Sequence, residues 1–101
     1  GTKVLVAHVG DAGKLEAMTL AKELRRGGVA AILAPSNRSL KSQLRYASSV
    51  GATHAVIVGD DEIRKGVVVL RDLNKGEQIE VANRIEELTK VLPEQPGNTR
   101  R

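Results

Sequence analysis

The sequence has 101 residues, enough for one domain with a buried core and too few for a catalytic domain and a binding domain together. It contains no Cys, which excludes disulfides and thiol catalysis, and its single Tyr without Trp or Phe argues against bases stacked on aromatic platforms. The net charge of +4 permits a polyanionic partner. No apolar run reaches the length of a membrane span and no signal peptide is present, so we expect a cytoplasmic protein without membrane contact.

The first third of the chain has the pattern of a strand, a helix and a second strand. An apolar run at residues 3–9 predicts the first strand, and Asp11 is the predicted N-cap of a helix over residues 12–26. Two glycines end that helix, and residues 29–34 predict a second strand that stops at Pro35. We expect the helix to bury a face made of Leu15, Ala17, Met18, Leu20, Ala21 and Leu24.

The second predicted helix is amphipathic. Ser36 or Asn37 is its expected N-cap, and Gly51 suits the left-handed position that ends a helix. The apolar residues that recur at helical spacing are Leu40, Leu44, Ala47 and Val50. The cations on another side, which we call the basic stripe, are Arg38, Lys41 and Arg45. The basic stripe is either a solvated helix face or a contact surface for a polyanion.

The second half of the chain begins with a strand that is apolar on both faces. Residues 54–58 predict this strand, which leads into an acidic turn at residues 59–62. Further strands are predicted at residues 66–71 and around residues 78–81, and helical spacing follows over residues 81–92.

The order of these elements predicts an α/β fold, a three-layer α/β/α sandwich. Right-handed crossovers place helices on both faces of a sheet whose first three strands are parallel. The link between the third and fourth strands is short, so the fourth should be antiparallel in a mixed, mostly parallel sheet of five strands. If the first strand lies between the second and the third, the chain reverses direction there, and ligands of open α/β sheets bind beyond the carboxyl ends of the strands at that switch point, here near residues 8–11 and 59–62.

Two boundaries follow from the same patterns. We expect residues 1–92 to form the domain and residues 93–101, which lack periodicity, to be a disordered C-terminal tail. The chain opens at Gly1 with almost no lead-in to its first strand, so we expect it to be one domain of a longer protein.

The sequence offers no assembled catalytic or metal site. Residues 10–13 lack the spacing of a phosphate loop, and the Asp within them favours a capped helix start instead. His8 and His54 have no Cys or ordered carboxylates near them, which argues against zinc. The consecutive acids at residues 60–62 splay apart and favour a solvated turn. We therefore expect no catalytic residue, metal or cofactor in this domain.

Several short patterns, taken together, resemble one known family. They include Arg38-Ser-Leu-Lys-x-Gln-Leu-Arg-Tyr-Ala47, the strand exit Gly59-Asp-x-Glu62 and the turn Gly76-Glu-Gln78. With the opening strand and the Arg25-Arg-Gly27 helix end, they cover roughly residues 3–92. This combination is similar to the anticodon-binding domain shared by the histidyl, threonyl, prolyl and glycyl synthetases. Arg-Ser-Leu-Lys and Gly-Glu-Gln indicate the C-terminal domain of the histidyl branch.

The resemblance implies that the domain binds the anticodon loop of histidine-accepting tRNA, and not DNA. It implies a parent histidine–tRNA ligase that is a homodimer through other domains, with ATP and Mg²⁺ confined to its catalytic domain. The positions that match anticodon-contacting residues of the family are Asn37, Arg38, Glu62 and Arg71. We expect Lys41 and Arg45 to bind RNA phosphates.

One departure and two alternatives accompany this resemblance. The first strand ends with the sequence Ala7-His-Val-Gly10, whereas family members commonly have a sequence of the Pro-Leu-Gly type there. Because of this difference, the resemblance does not define the role of the loop at residues 8–11. A synthetase-like regulatory or adaptor protein could keep the fold for protein contacts or for sensing uncharged tRNA. A small flavodoxin-like nucleotide binder is disfavoured by the absent phosphate loop.

Overall fold

The chain alternates strands and helices through most of its length. The computed structural model describes residues 1–94, so the predicted tail lies, from residue 95 onward, outside the described residues. The strands are β1 (Lys3–His8), β2 (Ala30–Leu33), β3 (His54–Val58), β4 (Val67–Asp72) and β5 (Gln78–Ala82). The helices are α1 (Gly10–Arg26), α2 (Leu40–Ser49), α3 (Asp60–Lys65) and α4 (Ile85–Val91).

One mixed sheet joins the five strands in the order β2-β1-β3-β4-β5. β1 pairs in parallel with both β2 and β3, whereas β4 pairs antiparallel with both β3 and β5. Four strands therefore point one way and β4 opposes them, which confirms the mixed, mostly parallel sheet with an antiparallel fourth strand. Since β2 and β3 flank β1, the chain reverses its winding at β1, as predicted for the switch point.

Each face of the sheet carries its own apolar layer. β1 shows the alternation, because Val4 and Val6 pack under α1 and α4 while Leu5 and Ala7 pack with Ala47 of α2 on the other face. β1 and β3 are thus covered on both faces, and this explains their nearly continuous apolar sequences. The three-layer α/β/α arrangement is confirmed.

The buried face of α1 is rotated from the predicted one. It consists of Gly13, Ala17, Leu20, Ala21 and Leu24. Leu15 and Met18, predicted to be buried, are 68% and 48% exposed. A Cβ at Gly13 would lie only 2.6 Å from the Val58 carbonyl oxygen, so α1 approaches the end of β3 more closely than a larger side chain allows. Because Gly13 must face β3, helical spacing places Leu15 and Met18 on the outer side of α1, whereas Leu20 and Leu24 share the buried face with Gly13.

Three other boundaries differ from the prediction. Val9 and not Asp11 is the N-cap of α1, and Asp11 lies in the first turn, where its charge suits the helix dipole. The acidic segment after β3 is the start of α3 and not a turn. α4 begins at residue 85 and not 81, because Val81 and Ala82 pair with β4 as part of β5.

The ends of α2 are also defined by local chemistry. Ser39, rather than Ser36 or Asn37, is its N-cap, and its Oγ accepts a hydrogen bond from the Ser42 backbone N–H at 3.1 Å. Gly51 follows the helix with φ of 74°, as predicted for the left-handed position. No helix within residues 1–94 has the length and apolar character needed to cross a membrane.

Candidate nucleic-acid interface

A groove opens beyond the carboxyl ends of β1 and β3, where the switch point placed it. It consists of two adjoining cavities of about 300 and 550 Å³ that share Val9 and Leu40. The smaller cavity lies between the start of α1 and the loop at residues 36–39. The larger runs from α3 along the face of β4 beside α2. The groove is open because α2 lies over β1 and this face of β4 is only partly covered, with Val69 and Arg71 half-buried.

Asn37 and Arg38 line the smaller cavity. Both side chains are exposed on the loop between β2 and α2, and Asn37 has a left-handed backbone with φ of 61°. The Arg38 guanidinium carbon lies 5.5 Å from the centre of the Tyr46 ring, within the range of a cation–π contact. A guanidinium carries five N–H donors, so Arg38 can also donate to a ligand in the cavity that it lines.

Glu62 and Arg71 line the larger cavity. Glu62 is half-buried in the first turn of α3, and Arg71 is half-buried on β4. Arg71 lies opposite Gln78 in the β4–β5 pairing, and its Nη1 donates to Gln78 Oε1 at 3.2 Å. This bond orients the guanidinium while most of its five donors stay available.

The structure separates the basic stripe into two parts. Arg38, expected on the second helix, precedes that helix and stacks on Tyr46 instead. Lys41 and Arg45 are exposed on α2, one residue after Leu40 and Leu44, which line the larger cavity. One residue turns a helix by about 100°, so Lys41 and Arg45 flank the groove without lining it.

Two polar lining residues had no predicted role. Lys14 lines the smaller cavity from α1, and Gln78 lines the larger one from β5. Gln78 belongs to the Gly76-Glu-Gln78 pattern, but its contact with Arg71 depends on the β4–β5 register. Lys14 follows Gly10 by four residues, one helical turn, which is the signal that places it on the side of α1 facing this loop.

A buried polar cluster lies beneath the groove. The Gln43 side chain accepts a hydrogen bond from the His8 N–H at 2.9 Å and donates to the His8 and Arg38 carbonyls at 2.8 and 3.0 Å. The His8 ring bonds through Nε2 to the Ala34 carbonyl at 3.1 Å. Because a carbonyl can only accept, Nε2 carries the proton in this arrangement. His8 is therefore a satisfied core residue.

The chemistry of the groove is recognition by hydrogen bonds and charge. Its lining contains acids from the first turns of α1 and α3 and cations from α1, the β2–α2 loop and β4. Within residues 1–94, no three His, Asp or Glu side chains are grouped as metal ligands would be.

Comparison with known proteins begins with a family model. The model described as an anticodon binding domain matches residues 3–95. A histidine–tRNA ligase of Thermotoga maritima is 41% identical over 78 residues, which cover 77% of this chain. One of Clostridium perfringens is 36% identical over 90 residues, or 89% of the chain. The chain spans about a fifth of these relatives, 19% and 22% of their lengths.

Solved structures show the same similarity. Histidyl-tRNA synthetase of Nostoc sp. is 32% identical with a TM-score of 0.77, and the match covers 90% of this chain and 21% of that one. The RNA binding domain of threonyl-tRNA synthetase from Cryptosporidium parvum matches with a TM-score of 0.74 at 18% identity, over 80% of this chain and 20% of that one. At this identity the similarity shows a shared fold alone. The chain belongs to the anticodon-binding domain family of class II aminoacyl-tRNA synthetases and is homologous to the C-terminal region of histidyl-tRNA synthetase.

Proposed function

We propose that this domain binds the anticodon loop of histidine-accepting tRNA as part of a histidine–tRNA ligase. The observation that carries the proposal is the groove at the switch point, whose lining includes Asn37, Arg38, Glu62 and Arg71. These four positions were selected from the sequence by resemblance to the family. Their convergence on one groove supports a shared role in binding.

The side chains suit the edges of unpaired bases. Arg71 presents a fork of N–H donors, Glu62 accepts from an exocyclic amine or a guanine edge, and Asn37 can donate and accept. A loop of unstacked bases can be read in this way, whereas the deep groove of an A-form stem cannot. The absence of Trp and Phe from the sequence leaves hydrogen bonds and charge as the main means of recognition.

Backbone contacts are proposed for the neighbouring surface of α2. Lys41 and Arg45 flank the groove on an exposed helix face, so a strand whose bases enter the groove would pass its phosphates near them. Contacts of this kind add affinity that depends on salt and not on sequence.

The remaining steps are assigned to other parts of the parent protein. The chain spans about a fifth of the ligases it matches, so we place histidine activation, with its ATP and Mg²⁺, in a separate catalytic domain. In the same proposal the parent is a cytoplasmic homodimer formed through other domains.

A nuclear magnetic resonance titration tests the location of the site. The ¹⁵N-labelled chain is titrated with an anticodon stem-loop of histidine tRNA. The amide signals of residues 37–39, Glu62, Arg71 and Gln78 should shift, while those of Leu15 and Met18 on the outer surface of α1 should not. Shifts concentrated on α1, with the groove signals unchanged, would overturn the proposed site.

A further inference from the structure

We propose that Gln43 is a positioning residue for RNA recognition, because it holds the loop that presents Asn37 and Arg38 in its binding arrangement. The inference rests on the proposed function. It concerns a buried side chain that neither lines the groove nor needs to touch RNA.

The hydrogen bonds of Gln43 connect two parts of the chain that meet at the groove. Gln43 is only 1% exposed, and its amide bonds both the N–H and the C=O of His8, the last residue of β1. Its remaining donor bonds the Arg38 carbonyl at 3.0 Å. Both N–H groups and the oxygen of the amide are thus used. The end of β1 and the Arg38 carbonyl of the β2–α2 loop are joined through this side chain.

Besides Gln43, the loop is held at its α2 end by the Ser39 hydroxyl on the Ser42 N–H and by the contact of Arg38 with Tyr46. Residues 36–39 are exposed, and Asn37 occupies a left-handed conformation that non-glycine residues seldom adopt. Exposed segments with few buried apolar contacts belong to the low-stability part of a structure. Two side chains bond carbonyls of this connection: the His8 ring bonds that of Ala34, and Gln43 bonds that of Arg38. Both connections lead back to the last residue of β1.

An apolar residue would not replace this arrangement. Met in place of Gln43 would fill a similar volume, but it would leave the buried His8 N–H and C=O without their partners and release the Arg38 carbonyl. The polar side chain therefore serves a directional purpose that packing alone does not require. Ordering the loop before binding removes an entropic cost from association.

A double-mutant cycle separates positioning from general stability. Gln43→Met should weaken binding of the histidine anticodon stem-loop about tenfold, because the cost of ordering the released loop then offsets what the contacts of Arg38 contribute. In the Gln43→Met background, Arg38→Ala should have almost no further effect, because the loop is already released. Arg71→Ala should keep its full effect, since Arg71 lies on β4 outside these hydrogen bonds. Equal, additive effects of Arg38→Ala in both backgrounds would overturn the proposal.

A matched control accounts for reduced stability. Leu88 of α4 is 1% exposed in the apolar layer on the opposite face of the sheet. Leu88→Ala destabilises the fold through a cavity, and at a temperature where both variants are fully folded it should bind the stem-loop like the wild type. A loss of binding in Leu88→Ala as large as that in Gln43→Met would count against a positioning role.

A measurement on the wild-type chain alone keeps the proposal testable if Gln43→Met does not fold. Amide order parameters at residues 37–39 of the free protein should approach about 0.85, the value of rigid backbone. Values below about 0.6 would show a loop that is not held, and would overturn the proposal. If neither Arg38→Ala nor Arg71→Ala changes RNA binding, the proposed function fails, whereas the order parameters still decide whether the loop is held before RNA binds.

Discussion

Replacing Arg71 by Ala should reduce discrimination between anticodons more than it reduces stability. Arg71 is half-buried on β4, and its Nη1 donates to Gln78 at 3.2 Å. A hydrogen bond to a neutral side chain at a partly exposed site contributes little to folding, so the free energy of unfolding should change by about 0.5 kcal/mol. Chemical denaturation of the free chain checks this first expectation.

The effect on binding should be larger. If the guanidinium makes a paired contact with one base, its removal should cost about 1–3 kcal/mol, or roughly 5- to 150-fold in affinity, on the scale established for bases in DNA. Arg71→Lys keeps the charge but not the fork of donors. It should therefore lose discrimination almost as fully as Arg71→Ala while retaining most of the binding that depends on charge.

The assay is a double-mutant cycle between Arg71 and each anticodon base. Affinities are measured by fluorescence anisotropy for the wild type and Arg71→Ala, each with stem-loops changed at one base. The cost of the substitution should shrink when the contacted base is already wrong. Arg26→Ala, which removes an equal charge from the end of α1, should show no coupling. Zero coupling of Arg71 at every base would refute the assignment of Arg71 to base recognition.

Three further predictions concern other parts of the structure. Replacing Lys41 or Arg45 by Ala should reduce the slope of log affinity against log salt by about 0.7 for each phosphate that is no longer bound, and an unchanged slope would return them to plain solvated surface. Gly13→Ala should destabilise the fold by about 1–3 kcal/mol in denaturant melts, because the new Cβ would lie 2.6 Å from the Val58 carbonyl oxygen; unchanged stability would contradict the close approach. The backbone N–H of Lys75, with smaller contributions from Asn74 and His54, lowers the pKa of Asp72. A carboxyl whose pKa is lower in the folded state stabilises the fold at pH values above its unfolded pKa. This contribution to the free energy of unfolding is lost as the pH falls through the acidic range near and below about 4. In Asp72→Asn the free energy of unfolding should therefore fall less steeply as the pH is lowered through this range. The same dependence on pH as in the wild type would contradict this prediction.

The sheet and its switch point could be predicted because they depend on strong, repeated signals. β1 and β3 are apolar on both faces, and such runs separated by a helix pattern leave few arrangements. The helix ends and the buried face of α1 depend on finer effects. α3 has six residues, too few for periodicity to distinguish it from a turn. Leu15 and Met18 satisfy the apolar spacing, but the close contact of Gly13 with the end of β3 sets the rotation of α1 and leaves both of them on the outer side.

The candidate residues of the site could be named from the sequence, whereas the hydrogen bonds that position them could not. Resemblance to the family selected Asn37, Arg38, Glu62 and Arg71, whose role in binding stays a prediction, and the fold places all four on one groove. The contact between Arg71 and Gln78 needs the register of β4 and β5, which the sequence does not specify by itself. The role of a buried amide such as that of Gln43 depends on which backbone groups lie around it, and those come from β1 and the β2–α2 loop.

Whether the domain reads an anticodon is decided by a comparison of two RNAs. The chain is titrated with the histidine anticodon stem-loop and with a stem-loop of identical stem and backbone in which the anticodon bases are replaced. Recognition of base edges predicts that affinity falls at least about tenfold for the replaced anticodon at fixed salt. Equal affinity for the two RNAs would mean that the groove binds only the backbone, and anticodon recognition by this domain would be refuted.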